Sequence, residues 1–224
     1  MNRDNARVWR LTRRLVVYLV ILLALQVAGE WTVMNRKIDH FIAQVEQGQK
    51  VATNDRSQPA WANGSLHLGA PGDMPLTFEA INLPVSIVVG GHSGVVVDEQ
   101  RVVESSGLES WEKNITKYWR NNWRERYDAV LILRVKGSTE EEAQVAVERA
   151  QSLLGRRYDY LFNRTESWIY CSEVPWVAWK AAGYDLNYDG FQTTPNDLLV
   201  SPKTEIIYLR LTDAQGKARE YYVD

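Results

Sequence analysis

Residues 168–183 read WIYCSEVPWVAWKAAG and hold the only cysteine of the 224-residue chain, Cys171. The stretch predicts a helix that begins near Cys171 and ends at Gly183. Pro175 fits only in a first turn, where its missing N–H costs nothing, and glycine is a common helix stop. A single cysteine excludes an internal disulfide framework and any zinc site built from several thiolates. Two roles remain, a small buried hydrophobe or a reactive thiol. A reactive thiol has to ionise, so it needs positive charge beside it. A helix N-terminus supplies ~0.3–1 kcal/mol at an exposed site, which assists an ion pair with histidine but does not replace one.

Outward from this stretch the chain is of ordinary globular composition, 45% hydrophobic and 24% charged with a net charge of −2, and no basic face points to nucleic acid. Its length suits one sizeable domain with appendages. Nine Trp and eleven Tyr imply aromatic-lined surfaces or a well-filled core. The first residues differ from the rest. MNRDNARVWRLTRR (1–14) carries five Arg against one Asp, and LVVYLVILLALQVAG (15–29) has no charge. Residues 1–34 are therefore expected to form a cytoplasmic basic segment and a membrane anchor, favoured by an ill-formed cleavage site, with a signal peptide as the alternative. Arginines before the apolar run keep the N-terminus inside and place the remainder outside the cytoplasmic membrane. Residues 35–69 are expected as a stalk helix, with Ile38, Phe41, Ile42 and Val45 at helical spacing, followed by a Ser/Asn/Gly/Pro-rich linker; 70–224 are expected as the working domain.

Within that domain PVSIVV (84–89), GVVV (94–97), RVVES (101–105), DAVLILRV (128–135), EIIYLRL (205–211) and REYYV (219–223) read as strands. A capping box of Ser138 and Glu141 predicts a helix from 140 that stops at Gly155. The segment 108–127, with Trp111, Trp119 and Trp123 at intervals of eight and four, predicts a further helix whose tryptophans pack in the core, with a substrate- or lipid-facing wall as the alternative. Strands and helices fall in clusters rather than alternating, so the class is α+β with a mainly antiparallel sheet.

Of the histidines, His40 falls on the stalk and His67 in the linker, where a solvated imidazole is the expected role. His92 lies in VVGGHSGVVVDEQRVVES, between strands and after a glycine pair that permits close backbone approach. An imidazole that works as a base needs a partner that fixes its tautomer. Glu104 stands twelve residues on, and a tight turn at 98–100 would bring it back toward His92.

The segment GRRYDYLFNRTESWIYCSEVPWVAWKAAGYDL (155–186) resembles the cysteine segment of the permuted papain-like amidases, the YiiX-like branch of the NlpC cell-wall hydrolase superfamily. The matching residues are Gly155, Tyr158, Asp159 and Phe162, then Tyr170, Cys171, Ser172 and Glu173. GGHSGVVV is similar to the family's His-x-Gly strand and VVES to its acidic strand, and Ser201-Pro202 before a strand also fits. His92 precedes Cys171, the order of the permuted branch. GDMPLTF (72–78) is a loose version of the family's opening, and Pro175 replaces an aliphatic residue.

The resemblance implies a papain-like fold of circularly permuted NlpC type, with the helix bearing the nucleophile packed on the sheet. It implies Cys171 as nucleophile, His92 as general base and acid, and Glu104 as the residue that orients His92. Tyr158 is implied as a substrate or oxyanion contact, with a core tyrosine as the alternative. No metal or organic cofactor is implied. Export and the anchor favour an amide of a cell-envelope peptide as substrate. Permuted relatives that act on lipid acyl groups supply a second reading, and a non-catalytic envelope-binding domain a third.

Overall fold

The computed structural model describes residues 3–48, 68–79, 91–107, 110, 112–163, 165–213 and 215–222. The strand expected at 84–89, most of the expected linker, His67 and Trp111 lie outside them. The N-terminal segment is one continuous helix, α1 (Arg3–Glu46), ~66 Å long at 1.5 Å per residue. From Val8 it is long and apolar enough to cross a membrane, and its apolar window is not buried in the protein. Its second half does not stand away from the domain as a stalk. Met34 and Phe41 are buried in the main core, with Ile38, Ile42 and Val45 against it. The same periodicity that suggested a free stalk is the stripe by which the helix docks.

Two antiparallel sheets form the body. The larger contains β1 (Met74–Thr77), β2 (His92–Ser93), β6 (Ala129–Val135), β7 (Thr204–Thr212) and β8 (Ala218–Tyr222), in the order β2-β1-β6-β7-β8. The smaller joins β3 (Val95–Val96), β4 (Arg101–Ser105) and β5 (Thr116–Arg120) in sequence order. β6 explains the layering. Leu131, Leu133 and Val135 face the core shared with the helices, while Val130 and Ile132 face a second cluster with Val96, Val102 and Trp123 of the smaller sheet side. A strand buried on both faces reads as an apolar run, AVLIL, interrupted only at Arg134 before Val135.

On the helical face α3 (Glu140–Gln151) presents Ala143, Ala146 and Ala150, and α4 (Glu173–Ala181) presents Val174, Val177 and Ala178. At their junction with β1, Gly72 passes so close to Ala143 that a Cβ would lie 2.9 Å from its methyl carbon, and the indole of Trp179 donates to the Gly72 carbonyl at 3.0 Å. Beside it Asp73 accepts two hydrogen bonds from Arg134, at 2.9 and 2.7 Å, with both side chains inaccessible to solvent. The last helix, α5 (Pro195–Val200), is bound to α1 by Lys37, whose ammonium donates to the carbonyls of Leu199, Ser201 and Thr204. A cation on these terminal carbonyls satisfies acceptors that the helix leaves open.

Two local expectations are corrected. The segment 108–127 is not one helix: it supplies β5 and a single turn, α2 (Trp123–Arg126). TKYWR pairs with β4, Val102 opposite Trp119 and Val103 opposite Tyr118, and a neighbouring strand edge prevails over the tryptophan spacing. The capping box of α3 is Thr139 with Glu142, one residue later than expected, because the Ser138 hydroxyl is engaged with the Val135 carbonyl at 2.8 Å.

Candidate active site

The site is built where the chain leaves one sheet for the other. His92 lies opposite Thr77 in the larger sheet, and only three residues later Val95 lies opposite Val103 in the smaller. Glycines make this crossing feasible. A Cβ on Gly91 would fall 1.6 Å from the Thr77 carbonyl oxygen, and one on Gly94 would fall 2.8 Å from Glu104 Cγ. The Glu104 side chain thus passes over Gly94 to reach the imidazole. The turn that returns β4 is fastened by Asp98, whose carboxylate accepts from the Gln100 and Arg101 N–H groups at 2.9 and 2.8 Å.

Glu104 Oε2 lies 2.8 Å from His92 Nε2, and both residues are buried. Its Oε1 accepts from the Trp123 indole at 2.8 Å, and Arg126 donates to both oxygens at 2.9 Å. Trp123 also stacks on the His92 ring, 5.5 Å between centroids and 4° from parallel. The ring is therefore clamped in plane and tied at Nε2, which leaves Nδ1 for the thiol of Cys171, with which His92 is hydrogen-bonded. Burial alone would push His92 down; the hydrogen bonds to Cys171 and Glu104 outweigh it and raise its pKa to about 9. Burial likewise opposes ionisation of Cys171, but the His92 hydrogen bond and charge bring the thiol below its ordinary value. The Ser172 N–H adds to the lowering.

Cys171 immediately precedes Ser172, the first flanking residue of α4, and is held from two sides. The Ser105 hydroxyl of β4 donates to the Ile169 carbonyl at 2.7 Å, and the Ser172 hydroxyl donates to the Thr193 carbonyl at 2.8 Å. Tyr158 meets the thiol from a third direction. Its hydroxyl is hydrogen-bonded to Cys171, and burial followed by the charge of Cys171 pushes the phenol far up, so it stays protonated. Gly107 admits the Tyr158 ring, since a Cβ there would lie 2.8 Å from it. The next residue, Asp159, is buried and accepts from the N–H groups of Leu161 and Asn163 at 2.9 and 2.7 Å, which shapes the loop after Tyr158.

These residues open on a cleft of about 840 Å³. Its walls include Tyr158, Leu161, Phe162 and Phe191 together with Leu19, Leu22, Gln26, Val27 and Glu30 of α1. Glu30, Asp189 and Asp197 bring carboxylate oxygens within 4.8 Å of one another in the same cleft, the arrangement among the described residues that could hold a hard cation. Burial and the neighbouring Asp189 raise Asp197 above the usual carboxylate range. His40, in contrast, is exposed on α1.

Cys171, His92, Glu104 and Tyr158, drawn from four separate stretches of sequence, thus come together. Sequence reasoning missed Trp123 and Arg126 as members of the site. The one signal for them was their spacing of three, which puts both on the same side of a helical turn.

Residues 77–208 match the sequence model of the permuted papain-like amidase enzymes, the YaeF/YiiX or C92 family. Among solved structures, that of the metalloprotein YiiX from Escherichia coli O157:H7 is similar with a TM-score of 0.48 and 18% identity, over 62% of this chain and 96% of its own. No curated protein matches the chain.

Proposed function

The chain belongs to the permuted papain-like amidase family, and from that premise we propose that it is a cysteine hydrolase cleaving an amide bond through Cys171, His92 and Glu104. The observation that carries the reading is the unbroken contact chain from thiol to imidazole to carboxylate, with the thiol shifted down and the imidazole up. A thiolate–imidazolium pair at neutral pH is what nucleophilic attack by sulfur requires.

Cys171 Sγ attacks the carbonyl carbon and the carbonyl π pair moves to oxygen. The backbone N–H of Cys171 and the protonated Tyr158 hydroxyl are the donors for that oxyanion. As the C–N bond breaks, His92 gives its proton to the departing nitrogen and the acyl group remains on sulfur. His92, now neutral, takes a proton from water, whose oxygen attacks the thioester and releases the acid and the thiolate. Glu104 stays on Nε2 throughout and favours the imidazolium.

Residues 70–224 are the hydrolase domain in this reading. The apolar part of α1 anchors it in the cytoplasmic membrane with the domain outside, and the substrate is an amide of the cell envelope. The pH dependence of Cys171 alkylation by iodoacetamide tests the pair. Rapid reaction below pH ~7 in wild type, with alkaline dependence in His92→Ala, is expected. An ordinary thiol profile in both proteins removes the mechanism. Assay of peptidoglycan-derived peptides with wild type and Cys171→Ala tests the substrate, since full turnover by the variant is incompatible with sulfur as nucleophile.

A further inference from the structure

Three carboxylates meet at the junction of α1 with the domain. Glu30 comes from α1, Asp189 from the loop after α4 and Asp197 from the first turn of α5, each with an oxygen within 4.8 Å of the others. Among the described residues none of the three forms an ion pair. The Gln26 amide donates to Asp189 at 2.6 Å and to Glu30 at 3.3 Å, but it carries no charge to set against theirs.

Acidic side chains gather on many surfaces without a ligand, so the case turns on Asp197. It is 1% exposed. Its Oδ2 accepts from the N–H and the hydroxyl of Thr194, both at 2.7 Å, and completes the cap of α5. The Tyr188 N–H reaches the same carboxyl as the weakest of its interactions and leaves Oδ1 without a hydrogen bond. A buried anionic oxygen with no donor is costly, and a cation supplies what no N–H or O–H does there.

The loop itself reads DLNYDGFQTTPND (185–197), and its D-x-N-x-D-G opening is that of a calcium loop. The structure does not use it as one. Asp185 accepts from the Trp176 indole at 2.8 Å, the Asn187 amide donates to the Phe191 carbonyl and the Thr193 hydroxyl, and Asn196 stands where that loop needs Glu. Of the pattern only Asp189 joins the cluster, and Glu30 and Asp197 complete it from two helices.

We propose that Glu30, Asp189 and Asp197 bind one Ca²⁺, which fastens α1 to the domain at the rim of the cleft. Donors that are all carboxylate oxygens select a hard cation. A set drawn from two helices and a loop suits Ca²⁺, which takes about six to eight oxygens in flexible geometry, better than Mg²⁺, which demands a near-ideal octahedron. Lys37, two turns beyond Glu30, already ties α1 to the C-terminal end of α5, and the ion ties it at the N-terminal end. Phe191, two residues after Asp189, walls the cleft, so the ion also steadies that wall. The inference does not depend on Cys171 being the nucleophile.

The test uses the full chain in micelles of dodecyl maltoside, a neutral detergent that offers the ion no phosphate. After EDTA treatment and its removal by gel filtration, CaCl₂ is titrated by calorimetry. Wild type is expected to bind one Ca²⁺ per chain with a Kd of about 10⁻⁴–10⁻³ M, and its thermal midpoint to rise as the ion is added. Glu30→Gln and Asp189→Asn keep the side-chain shapes, and each should weaken binding at least about tenfold and cancel the rise in midpoint. In EDTA, Glu30→Gln should unfold no earlier than wild type, because it removes one of three like charges, and this shows that the variant folds. No binding by wild type at about 10 mM CaCl₂, or binding that both variants retain, overturns the proposal. MgCl₂ bound as tightly as CaCl₂ overturns the assignment to calcium.

Discussion

Two buried carboxylates of this protein each face an arginine, and they are used in opposite ways. Asp73 sits at 0% exposure against Arg134, also 0%, and its remaining acceptor capacity goes to the Ala70 N–H at 2.8 Å. Glu104, at 1%, faces an Arg126 that is 20% exposed, and shares its oxygens with Trp123 and with His92. The first carboxylate is held by the arginine of β6 and by the turn that leads into β1. The second is left with a partner whose charge can change, which is what its proposed role beside Cys171 requires.

The largest separation between them is expected from His92→Ala. Turnover should fall about 10⁴-fold, as loss of the general base does in a nucleophile–histidine pair. The pH dependence of the intact pair has a definite sign. His92, at about 9, lies above its unfolded value of about 6.5, so its share of stability is complete below ~6.5 and vanishes as pH rises through about 9. Cys171 is shifted down, so its share is complete above its unfolded pKa and is lost as pH falls through the lowered one. Activity should accordingly be highest between the lowered thiol pKa and about 9, which a pH–rate profile checks.

Arg134→Met ranks next and acts on the other site. It strands Asp73 without its partner and should cost about 3–5 kcal/mol in urea unfolding, while Asp73→Asn/Arg134→Met recovers most of that. A single variant that unfolds no earlier than wild type would show that water reaches Asp73 and that the two sites differ less than their burial implies.

Glu104→Gln is the intermediate case. The neutral amide keeps the shape but removes the charge that favours the imidazolium, so the His92 pKa should drop from about 9 and turnover at neutral pH should fall about 10²-fold. Because Arg126 reaches solvent, it can turn outward, and the stability cost should stay well below that of Arg134→Met. Loss of activity together with a large loss of stability would make Glu104 a second Asp73.

The difference between the sites also explains what could be read from the chain. That Cys171, His92 and Glu104 meet was legible through the family resemblance of YCSE, HSG and VVES, since their spacing alone carries little. The helices at 140 and 173 were legible from caps and Pro175, although the cap at Thr139 was displaced by a hydrogen bond of Ser138 that is made to the strand end. Trp123 and Arg126 were not legible. Their place depends on β5 pairing with β4, and tryptophans at intervals of eight and four imitate a helix until a strand edge competes for them. The docking of α1 was equally hidden, since an apolar stripe does not say whether its partner is lipid, another helix or the domain that follows.

Arg126→Gln gives the smallest effect and the finest test. Arg126 lies over the rings of Trp119, Trp123 and Tyr127 and donates to both oxygens of Glu104. At a partly exposed site the ring contacts are worth about 0.5–1 kcal/mol, so the urea midpoint should move only slightly. Its guanidinium competes with the imidazolium for one carboxylate and repels it across that carboxylate. Removing the charge should therefore move the alkaline limb of the pH–rate profile upward by a fraction of a pH unit, opposite to Glu104→Gln. A downward shift would mean that Arg126 serves chiefly to aim Glu104 at His92, and the carboxylate would then depend on its arginine as Asp73 does.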